Sequence, residues 1–359
     1  MIRLSLLQLR AQAITAAVAV SAFAVLLAAT GPHLASMYAA SGLHGCRPAN
    51  CSQLASNFLQ QVDSTGPYAT VSPLSIALIA FTPAVIGLFW GAPLIARELE
   101  TGTFDLAWSQ SVTRTRWLAV KLAVGGLAAM TITEALSLLF TWWAAPLSRA
   151  VGQGGSGNSL AMNQFNPLAF ATHGITPLGY AAFAFALGVT AGALIRRTGP
   201  AMAVTLAIFA AVQIAMPLWI RPNLLPASHT TSTITDDTPS SLRRTDSPHI
   251  ITYTLAAGGL PGQPEAWIQS SGATDTKGHP VSTVLPSACS AARGSRNSAD
   301  LAKCLTNQGI RLGVTYQPAS RYWPLQGAET GIFLVLSLVL IGYCFRRISR
   351  LPYPAESTE

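Results

Sequence analysis

The sequence predicts an all-α membrane protein: six transmembrane helices, with a large extracytoplasmic α+β, β-rich insertion between the fifth and sixth. Three observations lead there. Half of the 359 residues are apolar and only 10% are charged, where a soluble domain carries about 25%, and mean hydropathy is +0.40. Six apolar runs approach or exceed the roughly 20 helical residues that cross a hydrocarbon core. One long stretch, 221–328, breaks the pattern with Ser, Thr, Pro, Asp and Arg. The organisation is therefore 1–220 for five transmembrane helices with a cytoplasmic loop at 96–121, 221–328 for the extracytoplasmic domain, and 329–359 for the sixth helix and a cytoplasmic tail. The formal charge of +8 would suit nucleic acid, but the Arg residues flank the apolar runs as the positive-inside rule requires. No nucleic-acid partner is expected.

Residues 1–10, with Leu4, Leu7 and Leu9 set among polar residues, read as an interfacial helix. The first span, 11–30, is twenty residues without a charge. That exceeds the roughly 7–15 residues of a cleaved apolar leader core, so it is expected to stay. With Arg3 and Arg10 inside, 31–72 is an outer loop, where disulfides persist. Cys46 and Cys51 lie there with only His33 and His44 nearby, which is no zinc set, so a disulfide is expected. The second span, 74–95, contains Pro83 and Pro93, each expected to kink the helix. The third, 122–145, holds Glu134 near its middle. Met130, Glu134, Ser137 and Thr141 share one helical face. A carboxyl there costs a few kcal/mol and should face protein or water. Two readings stand: a transport-pathway residue, or a hydrogen-bonded link between helices. No second acidic or basic residue inside a span supplies a relay.

Residues 146–179 return outside. Within them 152–159 has linker composition and misses the G-x-S-x-G elbow, because Asn158 stands where the last glycine belongs. The fourth and fifth spans, 180–195 and 201–220, meet at a tight inner turn over 196–200. The fourth reaches crossing length if it begins near Thr176, which Pro177 permits as a first-turn residue. In the extracytoplasmic domain, 249–255 and 311–316 read as strands, and 230–247 has the composition of a disordered insertion. Cys289 and Cys304 close a loop of about 15 residues, which would stabilise the domain by roughly 3 kcal/mol. The sixth span, 330–344, is followed by Arg346, Arg347 and Arg350, with Cys344 as a free thiol at its inner end. Eleven Lys and Arg residues then lie in the inner loops and termini, against Arg47 and Arg149 in the two shorter outer loops. Both termini are expected to be cytoplasmic.

The chain carries no G-x-x-x-x-G-K-[ST] loop, no H-E-x-x-H, no C-x-x-C and no Ser/His/Asp grouping. It is read as a non-enzyme, with no catalytic residue, metal or cofactor of its own. The segment 96–121 is the part built to bind something. Arg97, Glu98 and Glu100 extend the second span into water, and Gly102 suits a helix end. Thr103 can cap a short helix, 104–108, that exposes Phe104, Leu106 and Trp108 beside Asp105. Thr113 then caps the helix leading into the third span. Aromatic residues and Arg dominate interface energy, so this is a docking surface; Trp117 reads as an interfacial anchor.

The run from Gly91 through Arg97-Glu98-Leu99-Glu100-Thr101-Gly102-Thr103 and Trp108-Ser109-Gln110 to Arg116-Trp117 and Lys121 resembles permease subunits of type-2 ABC exporters. The likeness is to a group from high-GC actinobacteria, which the segment Tyr316-Gln317-Pro318-Ala319-Ser320-Arg321-Tyr322-Trp323-Pro324-Leu325-Gln326 also resembles. The resemblance implies a coupling helix at 104–108 seated on a separate ABC ATP-binding subunit. Glu98, Glu100, Gly102 and Thr103 would form the connecting turn, with Arg114 and Arg116 at the entry to the third span. It further implies a permease dimer, homo- or heteromeric, in the lipid of a bacterial plasma membrane, with ATP and Mg on the partner and an amphipathic drug, lipid or peptide as cargo. The domain at 221–328 is longer than the re-entrant element of many such permeases. Two rival readings share the topology: an ion-coupled transporter using Glu134, and a membrane-anchored sensor whose extracytoplasmic domain binds a ligand.

Overall fold

The computed structural model describes residues 2–101, 114–155, 162–234, 240–246, 251–257, 265–282, 284–289 and 298–349, together with Leu260 and Gln263. Among these, six helical stretches are long and apolar enough to cross a membrane: Ile14–Ala40, Tyr68–Glu98, Thr115–Gly152, Thr176–Ile195, Thr198–Asn223 and Ala319–Ile348. A small antiparallel sheet stands between the fifth and sixth, as the composition predicts. The end of the bundle next to that sheet is called here the domain end, and the opposite end, next to residues 96–121, the loop end.

Helix α1 (Ile2–Ala40) is continuous, so residues 2–10 do not form a separate surface helix. The expected outer loop is also largely helical. Helix α2 runs over Pro48–Ser64, and the Cys46–Cys51 disulfide, with Cα atoms 5.3 Å apart, ties its first turn to the residues just before it. Pro48 suits a first helical turn because its missing N–H would have no partner there. Leu54, Ala55, Phe58, Leu59 and Val62 recur at helical spacing and pack with Leu34, Tyr38 and Trp143. This amphipathic period is visible in the sequence once the stretch is not assumed to be loop.

The second span consists of α3 (Tyr68–Ile86), a π segment at Gly87–Gly91 and α4 (Ala92–Thr101). Helix α3 continues through Pro83, and the irregularity falls between the two prolines, where the Ala92 N–H donates to Gly87 O five residues back. The third span is α5 (Arg114–Gly152), 39 residues, about 58 Å at 1.5 Å per residue, so it projects well beyond a ~30 Å hydrocarbon core. Short α6 (Pro167–Thr172) is capped by the Asn166 side chain, which accepts the Leu168 N–H at 3.0 Å. The fourth span, α7 (Thr176–Ile195), begins at Thr176 with Pro177 in its first turn. The fifth, α8 (Thr198–Ala215), ends in a second π segment, Met216–Ile220, around Pro217.

Helix α7 is the axis of the bundle. It packs on the second, third, fifth and sixth spans, and 83% of its apolar window is buried, against 44% or less for the other five. Its small residues explain this, since in lipid close backbone packing rather than water exclusion holds helices together. Ala184, Gly188 and Gly192 follow one another at four-residue spacing, opposite Gly87, Gly91 and Ala92 of the second span. A Cβ on Gly91 would lie 2.7 Å from Phe185 O, one on Gly192 2.5 Å from Ala92 O, and one on Gly188 would collide with Gly87 O.

In the domain, β1 (Ser228–Ser232), β5 (Arg311–Gln317) and β4 (Trp267–Thr274) form a sheet in the order β1-β5-β4, while β2 (Ser240–Asp246) pairs with β3 (Ile251–Ala257). Strands β3 and β5 meet the two that were expected. The reading of 230–247 as disordered is corrected at 230–232 and 240–246, because Thr230 pairs with Val314, and Ser240 through Asp246 pair with Ala257 through Ile251; residues 235–239 and 247 lie outside the described residues. The first is held by a partner more than 80 residues away and the second by the neighbouring strand of a hairpin, and neither pairing is visible in composition alone. Helix α9 (Ser298–Asn307) lays Leu301 and Leu305 on Leu312 and Val314. The Cys289–Cys304 disulfide ties it down, with Cα atoms 5.8 Å apart. Helix α10 (Tyr322–Ser349) carries the sixth span and starts at Tyr322 rather than near 330. Cys344 on it is a buried free thiol.

Candidate functional site

The docking candidates Gly102, Thr103, Phe104, Leu106 and Trp108 lie outside the described residues, as does the side chain of Arg114. What can be built is the frame that holds them. Helix α4 is described as far as Thr101 and α5 from Arg114 onward; Thr113, the expected N-cap, lies outside the described residues. Glu98 forms an ion pair with Lys121 of α5, and the Lys121 ammonium sits 4.5 Å over the Trp117 ring. Lys121 is 5% exposed, so the pair and the cation–π contact are shielded from water and stronger than surface contacts. Two residues on, Glu100 accepts hydrogen bonds from the Thr198 hydroxyl at 2.8 Å and the Thr198 N–H at 3.2 Å. These bonds, the hydroxyl's first and helped by Arg197, hold the Glu100 carboxyl below the ordinary glutamate value. Thr198 opens α8, and Arg196, with φ 56°, makes the tight turn before it. Glu98 thus ties the second span to the third, and Glu100 ties it to the fifth. Arg97 and Arg116 flank the same frame on α4 and α5.

A second polar cluster lies at the domain end, and the sequence reading missed it. Arg221, just after the second π segment, donates from Nε to Glu329 Oε2 at 2.8 Å and from Nη2 to Glu329 Oε1 at 3.1 Å. The Tyr180 hydroxyl donates to the same carboxylate, and the guanidinium stacks 4.0 Å from the Phe170 ring. Both charged residues are at most 1% exposed. One turn earlier on α10, buried Gln326 accepts from the Ile175 and Thr176 N–H groups at 2.9 and 3.2 Å. Its amide donates to His173 O at 2.9 Å and Phe170 O at 3.2 Å. The expectation of no second charge inside a span is therefore corrected, since Arg221 and Glu329 fall within the fifth and sixth spanning stretches. Hydropathy ends a span at a polar residue, whereas these residues have their partners inside the protein. The available signal was one of complementarity: a lone Arg at one span's end and a lone Glu at the next one's start.

Glu134 stands apart from both clusters. On its face, Ser137 donates to Gly174 O at 2.9 Å and to Thr172 O at 3.2 Å, and Thr141 accepts the Gly174 N–H at 3.4 Å. Glu134 is one turn deeper and partly buried, and its Oε2 has no hydrogen-bond partner. On this face the Ser137 and Thr141 hydroxyls make the contacts to residues 172–174, and Glu134 remains a candidate for the pathway.

Comparison with known proteins adds one finding. Residues 17–221, the first five spans up to Arg221, match the model of a family described as ABC-2 membrane transporter related. No curated protein and no solved structure matches the chain.

Proposed function

The chain belongs to the ABC-2 membrane transporter related family, and from that premise we propose that it is the permease subunit of an ATP-driven exporter. Family membership and six apolar helices make it a multi-pass transporter permease and imply an ATP-binding partner. Beyond this, the proposal has 104–108 as the coupling helix, with Phe104, Leu106 and Trp108 entering a groove of a separate ATPase chain that carries ATP and Mg. Both termini and the loop end would face the cytoplasm of a bacterial cell, and two permeases, of the group from high-GC actinobacteria that 316–326 resembles, would pair in the lipid. The cargo would be amphipathic.

The observation that supports this best is the bracing of the loop's flanks. A push on 104–108 meets α4, whose Glu98 is tied to α5 through Lys121 and whose Glu100 is tied to α8 through Thr198. The glycine seam passes the same motion to α7. A free surface loop would not need two such ties. The test is co-expression with an ABC ATPase from the same genome, followed by vanadate-sensitive ATPase assay of the purified complex. Changing Phe104, Leu106 and Trp108 together to Ala should abolish co-purification and permease-dependent ATPase activity. A complex that survives this triple change intact and active would refute the coupling assignment.

A further inference from the structure

At the domain end, a cavity of about 240 Å³ opens where the second and third spans meet the start of α10 and the entry to β4. Phe140, Met162, Tyr322 and Trp323 supply much of its lining, and Glu265 and His173 are its ionisable side chains besides the Tyr322 phenol. Glu265 lies just before β4. The next residues are anchored by Asn163 Nδ2, which donates to Ala266 O at 3.3 Å, and by Trp267 stacked 5.9 Å from Phe165. Its carboxyl lies against Gly152 at the end of α5, where any Cβ would collide with Glu265 Oε1.

The carboxyl is partly buried, and no charged group among the described residues pairs with it; burial alone raises it above the ordinary glutamate value. His173 does not compete as a cation, since desolvation lowers its imidazole below the ordinary histidine value and its Nδ1 is engaged by Ala169 O at 2.8 Å. The cavity therefore combines one uncompensated carboxylate with aromatic walls whose faces attract cations. We propose that it binds an amphipathic organic cation, with the ammonium group at Glu265 and the apolar body against Phe140, Tyr322 and Trp323. That this ligand is the cargo rests on the exporter reading; the binding site itself does not.

The test uses the full chain in lipid nanodiscs, titrated calorimetrically with octyltrimethylammonium, octanol and octanesulfonate, with empty discs subtracted. The expected result is saturable binding at one site, at least about tenfold tighter for the cation than for octanol, and none for the sulfonate. Glu265→Gln should bring the cation down to the level of octanol, and Phe140→Ala should weaken both. Gly152→Ala, which keeps every charge but displaces the carboxyl, should also lower cation affinity and covers the case of a misfolded Glu265→Gln protein. The proposal is overturned if the wild type binds no better than empty discs, or if cation preference survives in folded Glu265→Gln and Gly152→Ala. Loss of ATPase coupling with the site intact would count against the exporter reading alone; coupling with no cation site would count against this inference alone.

Discussion

Arg221 and Glu329 show how one residue's environment decides what its charge does. Moving a guanidinium and a carboxylate out of water costs several kcal/mol each, and only good mutual geometry offsets it. Here two parallel N–H···O bonds, the Tyr180 hydroxyl and the Phe170 face provide that geometry, although Arg221 Nη1 still has no partner. Removing one charge should therefore hurt more than removing both. Arg221→Leu or Glu329→Leu alone is expected to destabilise by about 3–5 kcal/mol, because a buried charge loses its partner. The double change Arg221→Met with Glu329→Leu should recover most of that. Thermal unfolding in detergent compares the three variants; equal losses in single and double would show the pair contributes only its packing volume.

At the level of elements, the seam between the second and fourth spans depends on atoms that are absent. Gly87, Gly91, Gly188 and Gly192 bring the backbones together where any side chain would meet a carbonyl. Overpacking a filled interface costs about 1–3 kcal/mol, so Gly188→Val should lower the unfolding midpoint clearly. Gly199→Ala, where a Cβ meets nothing within 4 Å, should change stability by no more than about 0.5 kcal/mol. Equal effects at both positions would mean that the seam is not under packing constraint. The two π segments belong to the same scale. One lies between Pro83 and Pro93 and the other contains Pro217, and each is next to a tight contact: Gly87–Gly91 at the seam, Met216–Ile220 just before Arg221. A widened turn lets the helix go on despite the proline's missing N–H, and it re-aims the residues that follow.

For the whole molecule, the cysteines give an axis. Both disulfides are at the domain end, and the free thiol of Cys344 is toward the other end of the sixth span. Disulfides persist in oxidising compartments and are rare in the cytosol, so the domain end should face out of the cell. Lys277→Cys and Gly199→Cys probe this directly, since both positions are exposed, the first in the domain and the second at the loop end. A membrane-impermeant maleimide applied to intact cells should label Lys277→Cys and reach Gly199→Cys only after lysis. The reverse pattern would invert the topology and remove the cytoplasmic docking loop with it.

Much of this architecture is legible in the residues themselves. Apolar runs of sufficient length imply spanning helices whatever surrounds them, because the bilayer demands both length and internal hydrogen bonding. Cysteine spacing, Pro177 near a helix start and β-branched stretches such as 311–316 are equally local signals. The misreadings share one physical cause. Residues 230–232 became part of a strand because 312–314 lies beside them. Gln326 and Glu329 entered a helix because their partners come from residues about 100 to 150 positions away. The cavity at Glu265 exists because β4, α5 and α10 converge there. The sequence by itself determined the number and apolar character of the spanning helices, and the family. Only the tertiary structure decided which polar groups are satisfied, because desolvation is set by neighbours in space and not along the chain.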